Sequence, residues 1–223
     1  MSAAAVAERS AIAKIEQRGI LLVFPIENRP EPRSLWSELH PRSKMKWEWD
    51  QDGDTRVHDL WHLRARLMRS RKVVYAKWYR GRATFFSHDV YRALLAALHD
   101  EGDPRRGLSR EAQAILELLE EDSPLSTKEL RRRSDLQGRF LAATYERAMK
   151  ELWSRLLIVG AGEVDDGAFP SLAVGATRLL FEELWTEARS LGAEGAALLK
   201  KTLADAPLLA KEVDKTLRLG SSP

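Results

Sequence analysis

The chain has no cysteine. That single absence excludes disulfides, cysteine-based zinc sites and thiol nucleophiles. It also lacks any apolar run long enough to cross a bilayer. Its alanine-rich start, MSAAAVAERSAIAKIEQRGI, is interrupted by Glu8, Arg9, Lys14, Glu16 and Arg18, so it has no apolar stretch like that of a signal peptide. No membrane association is expected, and the cytoplasm is the expected compartment. What is present is ordinary for a folded chain: 44% hydrophobic and 31% charged residues over 223 positions. That length holds one large domain or two small ones.

Acidic residues are nearly absent from one segment. Between Arg56 and Arg82 the basic residues are Arg56, Arg64, Arg66, Arg69, Arg71, Lys72, Lys77, Arg80 and Arg82, and Asp59 is the only acid. The segment therefore carries +8, and because the whole chain sums to +3, the remainder carries −5. Charge gathered this way on an otherwise slightly acidic protein points to a polyanionic partner. An ordinary solvated face mixes both signs; this one does not.

Hydrophobic spacing orders the chain. A helix is expected over 3–18 with Val6, Ile12 and Ile15 on its apolar side, then a buried strand in GILLVFPI, from Gly19 to Ile26. Ser34 is placed to cap a short helix to His40, and Lys44–Thr55 reads as a short strand or extended loop. From Val57 to Arg69 a helix is expected with Val57, Leu60, Trp61, Leu67 and Met68 inward. The stretch LMRSRKVVYAKWYRGRATFFS (Leu67 to Ser87) then reads as a hairpin turning at Gly81, with Trp78 and Tyr79 on opposite faces. A helix capped by Ser87 follows, with Tyr91, Leu94, Leu95 and Leu98 inward.

HDEGDPRRG, His99 to Gly107, has the composition of a linker. Beyond it come a helix with Ala112, Ile115, Leu116 and Leu119 inward, a second with Ser126 and Glu129 at capping-box spacing, and a third over Arg139–Leu156 burying Leu141, Tyr145, Ala148, Met149 and Leu152. A hairpin turning at Asp165-Asp166-Gly167 ends this unit, and the rest reads as helix interrupted at Gly192, Gly195 and Pro207. The expected fold class is mainly α with small β-hairpins (α+β). It divides as a winged-helix-like unit over 1–100 with a basic hairpin, a second winged-helix domain over 108–175, and a C-terminal helical extension over 176–223. In such units the helix before the hairpin normally lies in the DNA major groove.

GILLVFPIE followed by SLWSELHP, RKVVYAKWYRGRATFFS, and the Leu108–Gly175 unit together resemble winged-helix proteins related to the AlkZ/YcaQ family of bacterial DNA glycosylases. The resemblance runs over most of residues 19–190. It implies several winged-helix units in one chain, double-stranded DNA as ligand, and excision of alkylated or crosslinked bases as the family chemistry. Family enzymes carry a Gln-x-Gln or Gln-x-Asp motif near the start. Here Gln17 is followed by Arg18 and Gly19, and Gln51 by Asp52 and Gly53, so the motif is not found.

The residues expected to contact DNA are Arg64, Arg66, Arg69, Arg71, Lys72, Lys77, Arg80 and Arg82 in the first unit and Arg139, Arg147 and Lys150 in the second. Arg131, Arg132 and Arg133 end a helix, where cations also favour the macrodipole. Trp47 and Trp49 are candidates to stack on a flipped base, with Glu48 or Asp50 as weak catalytic candidates beside them. His58 and His62 imitate a His-Glu-x-x-His zinc helix, but Asp59 is too short for the glutamate's role and the surrounding arginines repel a divalent cation, so neither a metal nor any other cofactor is expected. Three readings stay open: a DNA-binding protein of repair or DNA-structure recognition, a monofunctional DNA glycosylase, and an interaction scaffold or transcriptional regulator whose C-terminal helices pair in a homodimer.

Overall fold

Alanine-rich residues without glycine or proline make α1 (Ala3–Arg18), capped by the Ser2 hydroxyl, which accepts from the Ala5 N–H, and ended at Gly19. In the computed structural model, which describes residues 2–47, 55–100, 103–166 and 170–221, the chain is mixed α/β. After α1 come β1 (Ile20–Leu22), α2 (Leu35–Leu39), α3 (Thr55–Ser70), β2 (Val74–Tyr79), β3 (Arg82–Phe86) and α4 (His88–Asp100). There follow α5 (Arg110–Glu121), β4 (Leu125–Ser126), α6 (Thr127–Arg133), α7 (Ala142–Ser154), β5 (Ile158–Val164) and β6 (Ser171–Ala176). The last part is helical: α8 (Thr177–Leu180), α9 (Glu182–Ala188), α10 (Gly192–Leu203) and α11 (Pro207–Ser221).

Two passes through one order are visible: helix, strand, helix, helix, strand, strand, over residues 3–86 and again over 110–176. Each pass closes an antiparallel sheet with its last strand in the middle, β1-β3-β2 and β4-β6-β5. Alternation along β2 and β3 sorts side chains between two cores. Tyr75 and Phe85 join α1 and α3 on one side, while Val74, Ala76, Trp78 and Phe86 join α4 and the second repeat on the other. Buried polar groups there find partners. The Trp78 indole N–H donates to the Thr216 hydroxyl on α11 at 2.8 Å, and the Tyr91 hydroxyl donates to the Leu156 carbonyl at 3.0 Å. Burial pushes the Tyr91 phenol well above its ordinary range.

The repeats meet through β5. At Gly160 a side chain would press within 2.4 Å of the Tyr75 ring, so only a bare backbone lets β2 and β5 approach this closely. Beside it the Arg64 guanidinium pairs with the Glu163 carboxylate, both nearly sealed from solvent.

Several expectations are corrected. Trp61 is exposed, whereas Leu63 and Arg64 are buried, because β5 covers a flank of α3 that spacing along α3 alone assigns to solvent. Trp78 and Tyr79 do not part to opposite faces: a register shift between Lys77 and Tyr79 breaks the alternation, and both enter the same cluster. Helix α7 begins at Ala142 rather than Arg139, which leaves Leu141 in the preceding turn and 39% exposed. Val6 is exposed. The apolar run from Gly19 yields a strand of only Ile20–Leu22. Gly195 lies inside α10, while Gly192 and Pro207 open helices rather than break them. Lys44–Trp47 form no regular strand, and the rest of that stretch lies outside the described residues. No helix of the described residues is long and apolar enough to cross a membrane.

Candidate nucleic-acid interface

The hairpin β2–β3 turns at Arg80 and Gly81, both at positive φ (51° and 75°). Paired positive φ is the turn whose twist matches that of the strands, and it is tolerated poorly by a residue such as Arg80. Lys77, Arg80 and Arg82 are thereby exposed around the tip. The Arg80 guanidinium stands 5.4 Å over the Tyr79 ring. Among the described residues no carboxylate forms a salt bridge with any of these three.

This tip forms one wall of a cleft of about 1050 Å³ whose other wall is α6, the turn after it and α7. Lys77 and Arg80 enter from the first repeat, and Lys128, Arg131, Arg132 and Lys150 from the second. The far wall brings its own acids. Arg131 bonds Glu146 at 2.8 Å and lies 4.4 Å over the Tyr145 ring, while Arg132 binds Glu129. The Ser126 hydroxyl accepts from the Glu129 N–H at 3.1 Å, but the Glu129 side chain turns to Arg132 rather than back to the cap, so the expected capping box is half-formed. Arg132 holds the Glu129 carboxyl below its ordinary range. Burial raises the Tyr145 phenol to about 12. Arg133 is held by Asp122 outside the cleft. Lys77, Arg80, Lys128 and Lys150 thus remain as cleft cations with no carboxylate salt bridge among the described residues, Lys128 donating instead to the Asp166 backbone carbonyl.

The other basic candidates divide. Arg71 and Lys72 are exposed where the chain enters β2, and the Arg71 carbonyl accepts from His88 Nε2 at 2.9 Å. Arg139, Arg147 and Lys150 are exposed on α7 and the turn before it, with Arg147 3.4 Å from the Thr144 hydroxyl. Arg66 is half-buried. Arg69 is exposed and donates to the Glu163 carbonyl at 3.3 Å. Arg64 is placed differently: it is 8% exposed, paired with Glu163 and stacked 3.9 Å over Trp61, so it joins the two repeats instead of facing solvent. None of Arg64, Arg66 and Arg69 lines the cleft.

His58 and His62 sit exposed on α3 with their Nε2 atoms 2.9 Å apart. No group of three or more metal-ligating side chains occurs among the described residues. Trp47 packs its ring 5.5 Å from Phe24. Trp49, Glu48 and Asp50 lie outside the described residues. Residue-level reading passed over Lys128 and Gln137, which line the cleft; Lys128 stands two positions after the Ser126 cap, the one sequence signal that could have flagged it.

A family model described as AlkZ related matches residues 7–198. The chain belongs to the AlkZ-related family. Neither the curated proteins nor the solved structures contain a match to it. The AlkZ-related region takes in all but the first four residues of the first repeat, the whole of the second, the basic hairpin and both walls of the cleft.

Proposed function

We propose that this AlkZ-related protein binds duplex DNA, that its two repeats are winged-helix units, and that the cleft between the first hairpin and α7 is where the backbone is held. The observation that carries the reading is the set of cations left without carboxylates, Lys77, Arg80 and Arg82 on the tip and Lys128 and Lys150 opposite. Phosphate neutralisation by such residues releases counterions, and it dominates sequence-independent affinity. The element order and central last strand of each repeat match the winged-helix plan, whose hairpin and third helix are its DNA-facing parts. Repair or recognition of DNA structure is the setting that family membership supports.

Base excision is a narrower reading within the same site. Of the carboxylates lining the cleft, Glu129 and Asp166 are both held below their ordinary range, by Arg132 and by the Ser126 and Ser171 hydroxyls, and Glu146 is salt-bridged to Arg131, the opposite of what a general acid needs. The binding reading therefore stands without it.

Titration of duplex DNA over a range of salt tests the proposal. Changing Arg80 and Arg82 together to Ala should weaken binding and flatten the log–log salt slope by roughly one to two units. A slope identical to that of the unaltered protein would overturn the assignment.

A further inference from the structure

Phe140 is 97% exposed, and no other large apolar side chain among the described residues exceeds 49%. Single exposed apolar residues are common on protein surfaces, but a whole phenyl ring held in water forgoes the burial that aromatics usually supply. Its surroundings explain the choice of place. Gly138, at φ 87°, turns the chain ahead of α7, and the Leu141 N–H donates to the Gly138 carbonyl at 3.3 Å, closing the turn that carries the ring outward. Gln137 and Gly138 line the cleft together with Lys77, Arg80 and Lys150. Arg139 precedes the ring, and Arg147 and Lys150 follow it along α7, all exposed.

We infer that Phe140 is a wedge that stacks on a base, and that the preferred ligand is duplex DNA in which one step is already opened, as at an abasic site or a mismatch. The inference rests on the DNA-binding reading above and deepens it. A ring preceded by Arg139 and followed along α7 by Arg147 and Lys150, none of them salt-bridged among the described residues, suits a polyanion carrying flat apolar faces; a protein partner for the ring would have to bring acids to match Arg139, Arg147 and Lys150. In a helix presented to a groove, the N-terminal residues are those that reach the bases. Inserting an apolar side chain between bases costs unstacking, and that cost is least where stacking is already broken. Phe140 therefore reads disrupted structure, while Lys77, Arg80 and Lys150 supply attraction that does not depend on sequence.

The test compares a plain duplex with one carrying a single abasic site, by fluorescence anisotropy at fixed salt, for the full chain and for Phe140→Ala and Phe140→Trp. The unaltered protein should favour the abasic duplex. Phe140→Ala should lose roughly 5- to 100-fold of affinity for it, with plain-duplex binding and salt slope unchanged, and Phe140→Trp should restore the preference. The thermal midpoint of Phe140→Ala should match that of the parent, since the ring touches nothing that holds the fold. Equal discrimination with and without the ring overturns the wedge and leaves DNA binding standing. Failure of the unaltered protein to bind either duplex at low salt overturns the DNA reading itself. A concentration-dependent mass that Phe140→Ala abolishes would assign the ring to a second copy of the chain and overturn the wedge.

Discussion

The two repeats share an order of elements and a sheet plan but commit opposite parts to the fold. In the first, a flank of the helix before the hairpin is covered: Arg64 is buried against Glu163, and Arg69 reaches the Glu163 carbonyl, so the free basic groups gather on the hairpin tip and at Arg71 and Lys72, where the chain enters β2. In the second, the hairpin strand β5 does the covering, and the helix before it keeps Arg147 and Lys150 exposed. Pairing differs too. Arg131, Arg132 and Arg133 each hold a carboxylate, whereas no salt bridge reaches Lys77, Arg80 or Arg82 among the described residues. A common scaffold therefore does not dictate which edge meets a ligand. Packing between the repeats and the placement of acids decide which cations each repeat leaves uncommitted.

That contrast can be broken at its joint. Changing Arg64 to Ala leaves the Glu163 carboxylate without its guanidinium in a nearly sealed position, and should lower stability by about 3 kcal/mol in urea unfolding. A negligible change would mean that the pair does not hold β5 on α3. Changing Gly160 to Ala forces a methyl against the Tyr75 ring and should cost about 1–3 kcal/mol. Unaltered unfolding there would show that the two sheets have room to separate. The smallest effect is expected across the cleft. Changing Arg131 and Arg132 to Ala removes exposed cations already matched by Glu146 and Glu129, so stability should move by under about 1 kcal/mol. The salt slope of DNA binding should also move less than it does when Arg80 and Arg82 are removed. Equal slopes for the two pairs would erase the distinction between free and committed arginines.

Much of the fold was legible because it is local. The capping hydroxyls of Ser34 and Ser126, the inward stripes of α4 and α5 and the turn at Gly81 follow from spacing within a few residues. What misled was contact across the chain. Arg64 and Glu163 stand 99 positions apart, and no periodicity within α3 announces that its flank will meet a strand of the other repeat. The bulge that turns Tyr79 inward likewise reflects pairing with β3, and Thr216 beneath Trp78 comes from 138 positions away. For the candidate interface, the sequence marked the basic hairpin, and the structure supplied the facing wall. Among the described residues, the aromatic most exposed to solvent was hidden inside an expected helix that in fact starts two residues after it.

The bond from the Trp78 indole to Thr216 has a consequence for how the hairpin works. It anchors the ribbon one residue after Lys77 and two before Arg80, so the strands that carry those charges are braced from behind by α11. On the proposed DNA-binding reading, a braced ribbon would surrender little backbone freedom on meeting a rigid rod of charge. Its attraction would then go into holding that rod rather than into first setting itself in shape.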